Sequence, residues 1–155
     1  MYRIAIFPGS YDPITVGHVD IVKRALPLFD KIIVAIGINS KKKYLFSLEQ
    51  RMEWIDEIFK KNDNVEVKSF EGLTVDFCKK EGAKYILRGA RTATDFEFEK
   101  TIGQLNQSLN PDLETIIMLT RPEFGHISST IVREIIINNG DYGQFVPSQV
   151  SIWHF

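Results

Sequence analysis

Cysteine is almost missing from this sequence: among 155 residues only Cys78 is present. A lone thiol excludes an internal disulfide framework and fits a reducing compartment; beside Phe77 it reads as a small buried hydrophobe. An excess of one charge is lacking too. The 19 Lys and Arg face 20 Asp and Glu, a formal net charge of −1. No global field therefore recruits nucleic acid or an anionic membrane, and any anion site has to be a local cluster. The longest apolar run, about residues 32–38, is far below the ~20 residues of a membrane span. Residues 1–3 lead directly into an apolar strand pattern without a leader, so the cytoplasm is the expected location.

Several catalytic and binding motifs are also missing. There is no Gly-x-x-x-x-Gly-Lys-Ser/Thr phosphate loop, no Gly-x-Gly-x-x-Gly after the first strand, and no Gly-x-Ser-x-Gly nucleophile elbow. The three histidines, His18, His126 and His154, do not combine with Cys78 into a metal-ligand spacing. Repeats and low-complexity linkers are absent as well.

What is present is a regular alternation of strand and helix patterns. Strands are expected at residues 4–7, 32–38, 65–70, 85–87 and 115–119. Helices are expected at 17–28, from Ser47 to near residue 62, at 74–81, from 95 to about 110, and from Ser128 to Gly140. Phe98, Ile102, Leu105 and Leu109 form the apolar stripe of the longest helix. With no hairpin signal, this order predicts a single-domain α/β fold with a doubly wound, five-stranded parallel sheet. A chain of this length buries roughly 70% of its unfolded surface. The aromatic tail after Asp141 carries no clear pattern.

Right-handed crossovers put the carboxyl end of every strand on one edge, where such sheets bind ligands. That edge receives residues 8–18, Lys41–Lys43, Arg88–Arg91 and Ser128–Thr130. Gly9 leaves room for a phosphate to approach the backbone. Gly17 opens a helix whose free N–H groups favour an anion, and His18 adds an imidazole in the first turn. Each group alone has an ordinary explanation, as solvated loop, surface ion pair or helix cap. Four strand ends collecting phosphate-compatible groups together do not. The site is rich in cations and donors and has no marked nucleophile, which suits direct in-line attack of one substrate on another.

These residues carry a resemblance. Thr15-Val-Gly-His18 resembles the T/H-x-G-H signature of the nucleotidylyltransferase superfamily, and Ile127-Ser-Ser-Thr-Ile-Val-Arg133 resembles its second signature. More narrowly, residues 8–15, Leu87-Arg-Gly-Ala-Arg91 and Asp95-Phe-Glu-Phe-Glu99 are similar to the phosphopantetheine adenylyltransferase family, colinearly over about residues 2–148. The resemblance implies a Rossmann-like fold and transfer of AMP from ATP to 4′-phosphopantetheine, giving dephospho-coenzyme A and pyrophosphate in coenzyme A synthesis. It also implies Mg²⁺ accompanying ATP, coenzyme A as a feedback inhibitor, and a homohexamer; it implies no nucleic-acid or membrane partner.

Carried onto matching positions, the resemblance gives His18, Ser10, Lys42 and Arg88 the catalytic roles. Ser10, Lys42, Thr74 and Arg88 would hold phosphopantetheine. Gly9, Ser10, Tyr11 and His18 would meet ATP from the first loop. Gly89, Ala90, Arg91 and Glu99 would hold the nucleotide, with the Glu99 carboxylate on ribose. Phe124, Gly125, His126, Ile127, Ser128, Ser129 and Thr130 would close over adenine and the outer phosphates. Phe98 stands where relatives often carry Tyr, and Phe124-Gly125-His126 replaces an aromatic-Ser-aromatic pattern. Two alternatives stay open: a nucleotidylyltransferase acting on nicotinate mononucleotide or using CTP, and a nucleotide-binding module without catalysis.

Overall fold

The computed structural model describes residues 1–152. Five strands among the described residues form one parallel sheet: β1 (Ile4–Gly9), β2 (Lys31–Ile38), β3 (Val65–Glu71), β4 (Tyr85–Ala90) and β5 (Glu114–Leu119), in the order β3-β2-β1-β4-β5. The helices between and after them are α1 (Val16–Ala25), α2 (Leu48–Phe59), α3 (Thr74–Glu81), α4 (Ala93–Leu109) and α5 (Ser129–Ile137). The doubly wound sheet read from the alternation is the one observed.

Side-chain alternation along the strands divides the core in two. Ala5, Phe7, Ile32, Val34 and Leu87 face one side, with Val22 of α1, Ile55 of α2 and Val132 of α5. Ile6, Ile33, Ala35 and Ile86 face the other, with Val75, Phe77 and Cys78 of α3. Every one of these is buried, because a central parallel strand is covered on both faces. Burial also pushes the Cys78 thiol up to about 11, so it is an inert core group.

Several boundaries differ from the sequence reading, and β1 among them runs on through Pro8 and Gly9. α1 stops at Ala25, and Pro27 turns the next residues into a 3₁₀ segment, Leu26–Leu28, because its ring cannot supply an N–H to a continuing helix. β4 runs on through Arg88, Gly89 and Ala90, so these lie in the strand instead of in the loop after it. α4 starts two residues early, where the Thr92 hydroxyl accepts from Asp95 N–H at 3.1 Å. α5 ends at Ile137, with Asn139 taking the left-handed conformation (φ 59°) before Gly140.

The periodicity of α4 leaves its facing direction open, and packing sets it. Its apolar stripe points outward: Phe98 is 62% exposed, Leu105 56% and Leu109 62%. The line turned toward the protein is Asp95, Glu99, Gly103 and Asn106, small or polar residues at helical spacing. A Cβ on Gly103 would lie 3.0 Å from Thr115 Oγ1, so α4 comes closest to β5 where it has no side chain. After α5, Val146 and Val150 are buried against the first core, and Tyr142 and Phe145 pack beside them. Trp153, His154 and Phe155 lie outside the described residues.

Candidate active site

The loop between β1 and α1 supplies the centre of the site. Tyr11 adopts a positive φ of 49°, its buried hydroxyl donates to Phe7 O at 2.7 Å, and its ring lies edge-on to His18 at 5.0 Å. A Cβ on Gly9 would stand 3.0 Å from this ring. A side chain at Gly9 would crowd the seat of Tyr11, a second use for this glycine beside room for a phosphate.

Thr15 caps α1, and the cap is reciprocal. Its hydroxyl accepts from His18 N–H at 3.4 Å, while its own backbone N–H donates to His18 Nδ1 at 3.0 Å. A backbone N–H can only donate, so Nδ1 must be the unprotonated nitrogen and the ring proton sits on Nε2. Burial, reinforced by the charges of Arg88 and then Arg91, pushes the His18 pKa down to about 4. The side chain at neutral pH is therefore a neutral imidazole held as an Nε2–H donor. In ¹⁵N-resolved NMR, His18 is expected to show the Nε2–H tautomer and no protonation above about pH 5. With the folded pKa below the unfolded ~6.5, the unfolded chain binds the extra proton first as pH falls. The associated stability is full above pH ~6.5 and is lost as pH falls through about 4. Titration of His18 near pH 6.5 in the folded protein is the result that would refute this reading.

The cations come from β4, the segment after it, the loop after β2 and, with Arg133, α5. Arg88, near the end of β4, donates through Nε and Nη2 to both oxygens of Glu99 at 2.7 Å each, and through Nη1 to Pro8 O. Lys42 Nζ reaches across from the loop after β2 to Ser10 Oγ at 3.1 Å. Arg91 lies 3.4 Å from Asp95 and donates to Gly125 O at 3.4 Å. Ser128 caps α5 by accepting from Ile131 N–H at 3.3 Å, and Ser129 Oγ donates to Pro13 O at 2.8 Å.

Two concavities result. A polar basin of about 310 Å³ is lined by Ser10, His18, Lys42, Arg88, Arg91 and the α5 start, with Phe124 and Ile127 as its apolar wall. A neighbouring cleft of about 300 Å³ is lined by Phe70, Thr74, Phe98, Ile102 and Asn106. Pro8, Gly9, Ser10 and Arg88 border both. His18 and Arg88, brought from chain positions 70 residues apart, thus open onto one basin.

Most of the residues singled out from sequence meet here. Gly9, Ser10, Tyr11, His18, Lys42, Arg88, Gly89 and Arg91 line the basin, as do Phe124, Ile127, Ser128, Ser129 and Thr130. Thr74 lies in the neighbouring cleft. Four positions differ. Ala90 points its methyl group into the core, His126 is exposed with its ring 6.2 Å from Phe145, and Gly125 contributes its carbonyl to Arg91. Glu99 departs furthest from its expected ribose contact. It borders the cleft, not the basin, and both its oxygens are held by Arg88. Sequence reasoning passed over Thr15 as the partner of His18, and over Arg133, which lines the basin and donates to Asp12 O at 2.9 Å. The Thr-x-x-His spacing of a helix cap was the available signal for the first.

A parallel sheet whose carboxyl edge joins a helix-capped imidazole, four cations and a second helix start defines a protein of the nucleotidylyltransferase class. The cytidylyltransferase-like family matches residues 6–135. Phosphopantetheine adenylyltransferase of Flavobacterium psychrophilum is 56% identical over 97% of this chain and 99% of its own, and that of Caldanaerobacter subterraneus is 46% identical over 96% and 93%. The chain belongs to the cytidylyltransferase-like family and, within it, to the phosphopantetheine adenylyltransferases. In fold it is similar to a Vibrio parahaemolyticus chain assigned as a nicotinate-nucleotide adenylyltransferase, with a TM-score of 0.72 at 19% identity over 96% of this chain and 90% of that one. A bifunctional NMN adenylyltransferase/ADP ribose pyrophosphatase of Francisella tularensis gives 0.71 at 22% identity over 96% of this chain but 46% of its own length.

Proposed function

We propose that this chain transfers AMP from ATP to 4′-phosphopantetheine, releasing pyrophosphate and forming dephospho-coenzyme A. The observation that carries the reading is the shared wall. A polar basin suited to a triphosphate and a mostly apolar cleft suited to a pantetheine arm meet at Ser10 and Arg88.

In this reading a phosphate oxygen of the acceptor attacks the α-phosphorus of ATP. The new P–O bond forms as the bond to the β-bridging oxygen breaks, and pyrophosphate departs with the electron pair. Lys42 and Arg88 hold the acceptor phosphate in line, and Ser10 sits between the two substrates. The His18 Nε2–H donates to a nonbridging oxygen of the α-phosphate, where negative charge grows in the transition state. Neutrality suits that role, since the donor needs no proton transfer and keeps its geometry throughout the physiological range. Arg91 and the N–H groups at the start of α5 take the outer phosphates. Thr74 and the apolar wall around Phe70 and Phe98 receive the pantetheine arm.

Mg²⁺ would enter with ATP, neutralising charge on the triphosphate, because such ions are commonly held by substrate phosphates with few protein ligands. Among the described residues no group of three or more His, Cys, Asp or Glu gathers to hold a metal ion, and the Arg and Lys of the basin fit a metal-carrying triphosphate. The outward stripe of α4 supports a homohexamer in which Leu105 and Leu109 are covered by neighbouring copies; sedimentation as a monomer would refute it. Among the described residues no helix is long and apolar enough to cross a membrane, and the cytoplasm is the proposed location. Coenzyme A, which shares the pantetheine arm of the product, is the proposed feedback ligand.

Incubation with ATP, Mg²⁺ and 4′-phosphopantetheine is expected to yield dephospho-coenzyme A by mass analysis and pyrophosphate in equal amount. Nicotinate mononucleotide in place of the acceptor is expected to give neither. Turnover with that mononucleotide alone would overturn the reading, and added coenzyme A is expected to slow the phosphopantetheine reaction.

A further inference from the structure

Arg51, on the first turn and a half of α2, is a buried cation, 3% exposed, outside the set of groups that line the basin. Its hydrogen bonds run to main-chain carbonyls: Nε to Phe46 O at 3.1 Å and Ser47 O at 3.3 Å, and Nη1 to Ser10 O at 2.7 Å. The guanidinium also lies under the Tyr44 ring at 4.2 Å, and the Lys42 ammonium lies 5.5 Å from the same ring. Burying a charge is unfavourable even with the Asp12 carboxylate in electrostatic range, so this arrangement needs a reason beyond filling space.

The reason lies in the two loops it joins. Asp12, also buried, accepts from the backbone N–H groups of Leu45 at 2.8 Å and Phe46 at 3.0 Å. The loop after β1 thus sends a carboxylate to the amides of the loop after β2, and Arg51, in the α2 turn that follows that second loop, returns a guanidinium to the carbonyl of Ser10. The lacing is reciprocal. It closes beside a basin contact between side chains of the two loops, Lys42 Nζ to Ser10 Oγ at 3.1 Å. A planar fork that bonds three carbonyls and stacks on a ring fixes distance and angle together, which a lysine ammonium cannot do.

We infer that Arg51 is a positioning residue for acceptor attack: it holds the Ser10 backbone and the Lys42-bearing loop at the separation that lets both reach the acceptor phosphate. The inference rests on the reaction proposed above. Misplacement of a positioning group by about 1 Å can cost about 10²-fold in rate, so Arg51→Met is expected to lose about that much in kcat while the ATP dissociation constant is unchanged. Arg51→Lys, which keeps the charge but not the fork, is expected to recover thermal stability without recovering kcat.

The deciding measurement is a double-mutant cycle on turnover with Lys42→Met. If Arg51 acts through the Lys42–Ser10 contact, Arg51→Met adds little to the loss already caused by Lys42→Met. Multiplicative losses would overturn the inference, as would full turnover in Arg51→Lys or loss of the fold in both Arg51 variants. Absence of turnover in the unaltered protein would instead refute the proposed reaction itself, so the two failures are distinct.

Discussion

Replacing His18 with alanine is expected to lower turnover by about 10²–10³-fold, some 2.7–4 kcal/mol of transition-state stabilisation, the loss seen when one preorganised oxyanion donor is removed. The ring is held from behind by Thr15, at 3.0 Å from its backbone N–H to Nδ1, and from the side by Tyr11 at 5.0 Å. Such a donor is already aimed before charge develops, which is why its removal acts on the rate more than on binding. ATP affinity is expected to stay close to that of the unaltered protein, because the outer phosphates have Arg91 and the α5 start as separate partners. Single-turnover rates and equilibrium ATP titration of the same variant check both halves. Unchanged turnover would remove His18 from the reaction.

The second large effect is expected at Arg88. Arg88→Met takes away the cation that borders both concavities, so use of the acceptor should collapse together with kcat. It also strands Glu99, whose side chain is only 9% exposed and whose two oxygens both accept from Arg88. Breaking a buried pair from one side costs about 3–5 kcal/mol, since the remaining charge has no compensating partner. For a domain of this size that corresponds to a drop of roughly 10 °C in the unfolding midpoint. Adding Glu99→Leu to Arg88→Met is expected to restore much of the midpoint and none of the turnover, because it removes the stranded charge without replacing the lost cation. Thermal unfolding at pH 7 and an acceptor titration separate the two effects. A midpoint unchanged in Arg88→Met would refute the pairing as a stabilising contact.

The same pair explains one limit of reading site residues from sequence. Glu99 sits in a motif next to the basin-lining Asp95, and nothing in the one-dimensional pattern distinguishes a carboxylate that meets ligand from one that orients a ligand-binding arginine. The distinction depends on which turn of α4 faces β4, and α4 faces it with its polar line. Periodicity identified Phe98, Ile102, Leu105 and Leu109 as one stripe correctly, but a stripe has no arrow toward the core. The packing shows the direction: at Gly103 a Cβ would meet Thr115 Oγ1 at 3.0 Å, so that line of α4 lies against β5.

By itself the sequence determined the elements and their order. Strand-length apolar runs alternating with helix-period segments, each bounded by caps or glycine, leave a parallel, doubly wound sheet as the economical way to bury two faces. That order alone sends Gly9–His18, Lys42, Arg88–Arg91 and Ser128–Thr130 to one edge. Only the tertiary structure decided the proton on Nε2 of His18, the partner of Glu99 and the place of Arg51 beneath the site. Each of these rests on contacts of about 3 Å whose choice of partner depends on side-chain direction, and direction is set by packing across segments distant in the chain.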